Sequence, residues 1–178
     1  TTINPVWIMR QAGRYLPEFI EIRKKNPNFI ELCLNHNLSS EITLQPIKRF
    51  DLDAAIIFSD ILMLPYGLNQ KVDFKKNFGP VLGNLDIGTM SKIDEIDFVE
   101  KIYPVYKAIE SVSLEMTSKN KNTIGFVGAP WTLLVYMINQ QSPKKNVKKD
   151  FFEDDFLINR ILLLIEKFLK IHIKNQIE

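Results

Sequence analysis

Asp53-Ala54-Ala55-Ile56-Ile57-Phe58-Ser59 is a short, continuous apolar run without alternation. A strand covered on both faces reads this way, and such strands belong to parallel sheets. Thr123 to Gly128 reads as a second strand of the same kind. Between them, residues 104–118 place Val105, Ala108, Ile109, Val112 and Met116 on one helical face, with Pro104 at the opening position. A helix over 131–139 follows Pro130, and a last one runs from about Asp155 to Asn175. Upstream, Pro17 starts a helix with Glu18 and Glu21 near its positive end and Arg23, Lys24 and Lys25 near the other, and Pro27 closes it. Residues 28–35 and 38–49 read as two further helical pieces, the second kinked or broken at Pro46. Residues 70–74 and 80–82 suit a hairpin around Asn77 and Gly79. Strands separated by long helices imply parallel βαβ units with right-handed crossovers, so the expected class is α/β. In such folds functional groups collect where strands end and loops begin.

The chain has 178 residues, enough for one sizeable core, with 46% apolar and 25% charged residues, as in ordinary soluble globular proteins. A net charge of +2 points to no particular partner. Ile, Lys and Asn together number 55, a bias that looks genomic, so the lysines do not read as a nucleic-acid surface. Lys144-Lys145 and Lys148-Lys149 read as a solvated helix face. A single cysteine, Cys33, excludes an internal disulfide and any multi-Cys metal site, and its apolar neighbours suggest a buried thiol. His36 and His172 lack metal-ligand spacing. No N-terminal stretch has the plan of a signal peptide, and Phe156 to Ile173 carries too many charges to span a membrane.

Three segments could carry chemistry. Arg10 and Arg14 lie four residues apart within Pro5-Val6-Trp7-Ile8-Met9-Arg10-Gln11-Ala12-Gly13-Arg14-Tyr15-Leu16-Pro17-Glu18, in a chain that otherwise prefers lysine, 18 to 5. Like charges at that spacing on a helical turn repel by about 0.2–0.5 kcal/mol. A planar guanidinium grips a carboxylate with two parallel bonds, so an anionic ligand explains the pair. The alternative is an Arg14–Glu18 pair with Arg10 solvated. Next, Asp60 follows the first strand between apolar neighbours (Ile56, Ile57, Phe58, Ile61, Leu62 and Met63). It suits either a functional carboxylate or a helix cap, a role Ser59 could share. Last, Gly125-Phe126-Val127-Gly128-Ala129-Pro130-Trp131-Thr132-Leu133 ends the second strand, with Tyr136-Met137 beyond it. The glycines suggest close backbone approach, Pro130-Trp131 a fixed turn into a helix, and Trp131 a packing residue.

The fourteen residues from Pro5 to Glu18 resemble the N-terminal signature of the uroporphyrinogen decarboxylase family. Asp-x-Asp-Ala-Ala-Ile-Ile-Phe-Ser-Asp-Ile-Leu, from Asp51 to Leu62, resembles that family's second signature. Gly125 to Leu133 with Tyr136-Met137 resembles a third. Where the family continues with an acidic residue and a glycine run before a serine, this chain has Ile138-Asn139-Gln140-Gln141-Ser142.

The resemblance implies the N-terminal part of a (β/α)8 TIM-type barrel, with residues 1–178 one portion of a single domain continued C-terminally. It implies removal of CO2 from the four acetate side chains of uroporphyrinogen, a tetrapyrrole polycarboxylate, giving coproporphyrinogen in haem biosynthesis. Asp60 falls on the family's central catalytic residue, with Ile56 and Phe58 as apolar pocket walls. Arg10 and Arg14 would hold peripheral carboxylates, one of them helping deliver a proton. Gln11 and Ala12 would add backbone contacts, and Tyr136 a hydroxyl. No metal or organic cofactor, no nucleic acid and no membrane are implied. A cytoplasmic homodimer is expected at full length. Methyltransferases of the same superfamily share the barrel but usually lack the two-arginine signature. A half-barrel inactive without its remaining part is the other alternative.

Overall fold

The computed structural model describes residues 4–12, 15–75, 78–143 and 153–178. It is a mixed α/β structure with two small two-stranded sheets. Two compact units are present: residues 1–59 with 103–126, and residues 60–102 with 127–178.

In the first unit, β1 (Ala54–Ile56) and β4 (Asn122–Ile124) pair in parallel with Ala55 opposite Thr123. The expected parallel pair is present in shorter strands, but β4 begins at Asn122 and is exposed to half-buried, not covered on both faces as expected, because two of its three residues are polar. Helices α1 (Pro17–Lys25), α2 (Phe29–Cys33) and α3 (His36–Phe50) precede it. Pro17 occupies the first turn of α1. Asn28 caps α2 by accepting from the Ile30 and Glu31 amides, and Asn35 caps α3 by accepting from Leu38. Pro46 does not break α3, contrary to expectation. A proline costs its helix one N–H bond, but here Ile42, Leu44, Pro46 and Ile47 are all buried and α1, α2 and β1 pack against the helix. Packing outweighs the lost bond. Phe58 sits edge-on to Phe19 and Phe29, with ring centroids 6.0 and 5.6 Å away, and Cys33 is fully buried.

Helix α6 (Glu95–Ser118) starts well before Pro104, so Pro104 does not open it. The start is set by the Asp94 carboxylate, which accepts from the Asp97 amide at 2.8 Å. Phe98 and Ile102 add fully buried surface to this extra length. The expected face Val105, Ala108, Ile109, Val112 and Met116 is buried throughout.

In the second unit, β2 (Val72–Lys75) and β3 (Gly79–Leu82) form the expected antiparallel hairpin. Two short helices, α4 (Met63–Gly67) and α5 (Ile87–Met90), carry too few residues for periodicity to reveal them. α7 (Pro130–Asn139) begins with its proline in the first turn, and α8 (Asp155–Ile177) is capped by Asp154. α8 packs on α7 and α4, and Phe98 meets Phe168 at 4.8 Å. The lysine pairs 144–145 and 148–149 lie outside the described residues. Among the described residues no helix is long and apolar enough to cross a membrane.

Candidate active site

Strand β1 is built to hold its exit still. Asn122 N donates to Asp53 O, and Ile57 N donates to Ile124 O, so the odd-numbered residues face β4. The even-numbered residues therefore face the other edge. No strand covers that edge among the described residues. Side chains satisfy it instead. The Gln11 carboxamide donates to Ala54 O at 2.6 Å and accepts from Ile56 N at 2.9 Å. Thr43 Oγ1 accepts from Phe58 N at 2.8 Å, and Ser39 Oγ donates to Phe58 O at 2.7 Å. Gln11, Ser39 and Thr43 are all buried, and each resolves a backbone group that burial would otherwise penalise.

Asp60 follows four residues after the end of β1, in the second unit. It is half-buried, and its Oδ1 accepts from the Leu62 amide at 2.9 Å while its carbonyl accepts from Met63. The carboxylate thus turns the chain toward α4, although it is not that helix's cap residue, which is Leu62. The helix-cap reading is therefore not met by Asp60, whose carboxylate oxygen shapes the turn before the helix instead.

Gly128 bears out the expected close approach. A Cβ there would lie 2.8 Å from Leu133 Cδ2 and 3.1 Å from Ile61 Cβ. Only a glycine lets the chain entering α7 pass this close to the turn after Asp60. Tyr136, on α7 in the same unit, is half-buried. Trp131 was expected to pack but is 55% exposed, because it occupies the second position of α7 on the face turned from the buried Leu133, Leu134 and Met137.

Arg10, Gln11, Ala12, Ile56 and Phe58 belong to the first unit, and Arg14 lies outside the described residues. Arg10 is exposed, Ile56 half-buried and Phe58 buried against Phe19 and Phe29. Glu18 is gripped by Arg49, Nε to Oε1 at 3.1 Å and Nη2 to Oε2 at 3.0 Å, a two-pronged pair that takes both carboxylate oxygens. Its own backbone amide and then Arg49 hold the Glu18 carboxyl below its usual pKa. Arg49, 31 residues away, could not be foreseen as its partner from spacing.

The altered segment after α7 has a defined conformation. Gln140 takes a left-handed φ of 60°, its amide caps Tyr136 O, and its carbonyl accepts from Leu82 N at 2.8 Å. Its side chain donates to Asn84 Oδ1, and Gln141 bridges Val81, so the segment extends the β2–β3 hairpin. A concavity of about 500 Å³ beside it is lined by Lys75, Phe78, Leu82 and Gln141 among others, and by none of the predicted site residues. Among the described residues no cluster of three or more His, Cys, Asp or Glu side chains could hold a metal ion.

The first unit is thus of the α/β class, a parallel pair of strands with the Arg10 segment tied to the first of them, and in that class functional groups collect where strands end. Over residues 1–178 the chain matches the family described as uroporphyrinogen decarboxylase (URO-D), and it belongs to that family. Proteins named uroporphyrinogen decarboxylase are similar along nearly all of it. The one from Campylobacter jejuni serotype O:2 is 41% identical, covering 100% of this chain and 53% of its own length. Those from Rickettsia felis and Rickettsia canadensis are 42% and 43% identical, covering 97% and 98% of this chain and 50% and 52% of theirs. The chain thus spans about half the length of these relatives.

Proposed function

We propose that the complete protein removes CO2 from the four acetate side chains of uroporphyrinogen III to give coproporphyrinogen III, and that residues 1–178 are the N-terminal portion of a single (β/α)8 barrel domain. The observation that carries this reading is Asp60, a carboxylate held by an Asx-type turn just past β1, in a chain 41–43% identical to proteins named for this reaction.

Loss of CO2 from an acetate leaves an electron pair that needs a sink. A pyrrole becomes its own sink when a ring carbon is first protonated. The ring is then cationic. An ionised Asp60 facing the pyrrole N–H groups stabilises that cation where it forms, with no reorganisation at the moment of reaction. The proton enters at the ring carbon next to the one bearing the acetate, the C–C bond to CO2 breaks, and its electrons form an exocyclic C=CH2 bond that neutralises the ring. A second proton then adds to that CH2 to complete the methyl group, and the first proton leaves the ring carbon to restore the pyrrole. Arg10 and Arg14 grip peripheral carboxylates, and one of them serves in proton delivery. Gln11 and Ala12 lie in the same turn, Ile56 and Phe58 supply apolar surface, and Tyr136 offers a hydroxyl. This chemistry calls for no metal or organic cofactor. The proposed setting is a cytoplasmic homodimer.

The test is CO2 release from uroporphyrinogen by the complete protein and its Asp60→Asn variant. Asn keeps the shape and the Leu62 bond but loses the charge. Turnover should fall about 10²–10³-fold, as for loss of one preorganised electrostatic group. Full turnover in the Asn variant refutes the catalytic assignment and leaves Asp60 as a turn residue. Because the chain spans about half its relatives' length, residues 1–178 alone are expected to be inactive.

A further inference from the structure

The side chain of Gln11 is used up by the protein's own backbone. Its carboxamide sits on the open edge of β1, donating to Ala54 O and accepting from Ile56 N, and the residue is only 3% exposed. A neighbouring parallel strand would present the same donor and acceptor to the same two groups. The orientation of the amide follows from chemistry: Ala54 O can only accept and Ile56 N–H can only donate. Glutamate could not serve both, since a carboxylate has no proton for Ala54 O. Asparagine is one carbon too short.

The other end of the arginine turn is tied to the same strand. Val6 N donates to the Asp53 carboxylate at 2.6 Å, and Asp53 N donates to Val6 O at 2.9 Å. Trp7, Ile8, Met9 and Arg10 between the two ties are exposed, with Met9 at 75% and Trp7 at 45%. An exposed segment held by no core of its own would sample many conformations. Two double attachments to residues 53–56 limit that freedom and fix the backbone of Arg10 relative to β1.

We propose that Gln11 and Asp53 are positioning residues for Arg10, with the Gln11 carboxamide bound to the backbone of β1 rather than to the substrate. The inference rests on the reading that Arg10 grips a substrate carboxylate. Preorganising that guanidinium lowers the ordering cost of binding, so loosening the turn weakens affinity for the polyanion before it touches the chemical step.

The experiment uses the complete protein as wild type, Gln11→Met, Gln11→Glu, Asp53→Ala, Arg10→Ala and the double variant Gln11→Met/Arg10→Ala. Binding of an octacarboxylate porphyrin is measured by fluorescence titration, beside KM, kcat and thermal stability. Gln11→Met should weaken porphyrin binding and raise KM about tenfold, the scale of two lost neutral hydrogen bonds, with kcat little changed. Gln11→Glu should fall between Gln and Met, and Asp53→Ala should shift binding in the same direction as Gln11→Met. In the double variant binding should be no weaker than in Arg10→Ala alone, because a clamp has no effect once its cargo is gone. Additive losses would overturn the proposal, since Gln11 would then act independently of Arg10. Unchanged porphyrin affinity in both Gln11→Met and Asp53→Ala would overturn it as well. If Gln11→Met does not fold, Asp53→Ala combined with Arg10→Ala carries the same cycle from the other end. Failure of the functional reading looks different: wild type binds the porphyrin with Arg10 dependence but releases no CO2 from uroporphyrinogen.

Discussion

His172 should make the protein acid-sensitive in a window where carboxylates are still ionised. The ring is 5% exposed on the inner stripe of α8, edge-on to Phe98 at 6.4 Å. The Gln176 amide nitrogen lies 3.1 Å from Nε2, so that ring nitrogen is the acceptor in the neutral tautomer. Burial disfavours the imidazolium and depresses the pKa from 6.5 to about 4. In the unfolded chain the ring protonates near its ordinary value, so below that pH the unfolded state binds more protons and stability rises with pH. The contribution is complete above pH 6.5, is lost as pH falls, and the loss levels off near pH 4. A depression of this size corresponds to about 3 kcal/mol over the whole window. The assay is denaturant unfolding at intervals between pH 7 and 4 for wild type and His172→Phe. The slope of stability against pH should largely vanish in the variant over pH 6.5 to 4.5. Glu18, Asp51 and Asp86 have pKa values held below the ordinary carboxylate range, so their losses begin at lower pH and remain in both proteins. An unchanged slope in His172→Phe would show that the ring is solvated or paired in acid, and would refute the reasoning.

Arg10→Lys in the complete protein should restore only part of the porphyrin affinity lost in Arg10→Ala, because an ammonium cannot make the planar two-pronged contact; equal affinity for Arg, Lys and Ala would mark Arg10 as a solvated surface charge. At Gln140, whose φ is 60°, melting temperatures should rank Gly at or above Gln and both above Val, with Val about 1–2 kcal/mol less stable than Gln. Val as stable as Gln would mean that the segment adopts another conformation. Gly128→Ala should destabilise by about 1–3 kcal/mol in chemical unfolding, since its Cβ would lie 2.8 Å from the Leu133 side chain.

The sequence disclosed the parallel pair and most of the helices because each is declared by local composition. β1 is apolar without alternation, β4 (Asn122-Thr123-Ile124) shares only its last two residues with the run read from Thr123, and α8 places Ile158, Ile161, Ile165, Phe168 and His172 at helical spacing, all buried. The two prolines misled for a common reason. Propensity prices a helix-interior proline in isolation, whereas Pro46 and Pro104 sit in helices whose buried faces contribute more than one missing bond costs. Partnerships between distant residues were illegible for a different reason. Glu18–Arg49, Lys121–Asp51 and Val6–Asp53 join positions with no periodic relation, so nothing local marks them.

The candidate site shows the same division. Its residue types were visible as signatures, but the division of labour within the signature was not. Met-Arg-Gln-Ala-Gly-Arg reads as one ligand-binding string, yet the structure turns its glutamine inward and its first arginine outward. The reason lies in β1. Among the described residues no strand pairs with the even-numbered row of β1, and burying that row unsatisfied would cost about 1–3 kcal/mol per group. Ser39, Thr43 and Gln11 are buried because they fill that row, one pair of hydroxyls around Phe58 and one carboxamide across Ala54 and Ile56. A polar residue recruited to such an edge carries no sequence mark, since its partner is backbone and backbone is the same everywhere. The strand's need, rather than a ligand's, explains a buried glutamine beside an exposed arginine, and it also holds still the strand from which the chain runs on to Asp60.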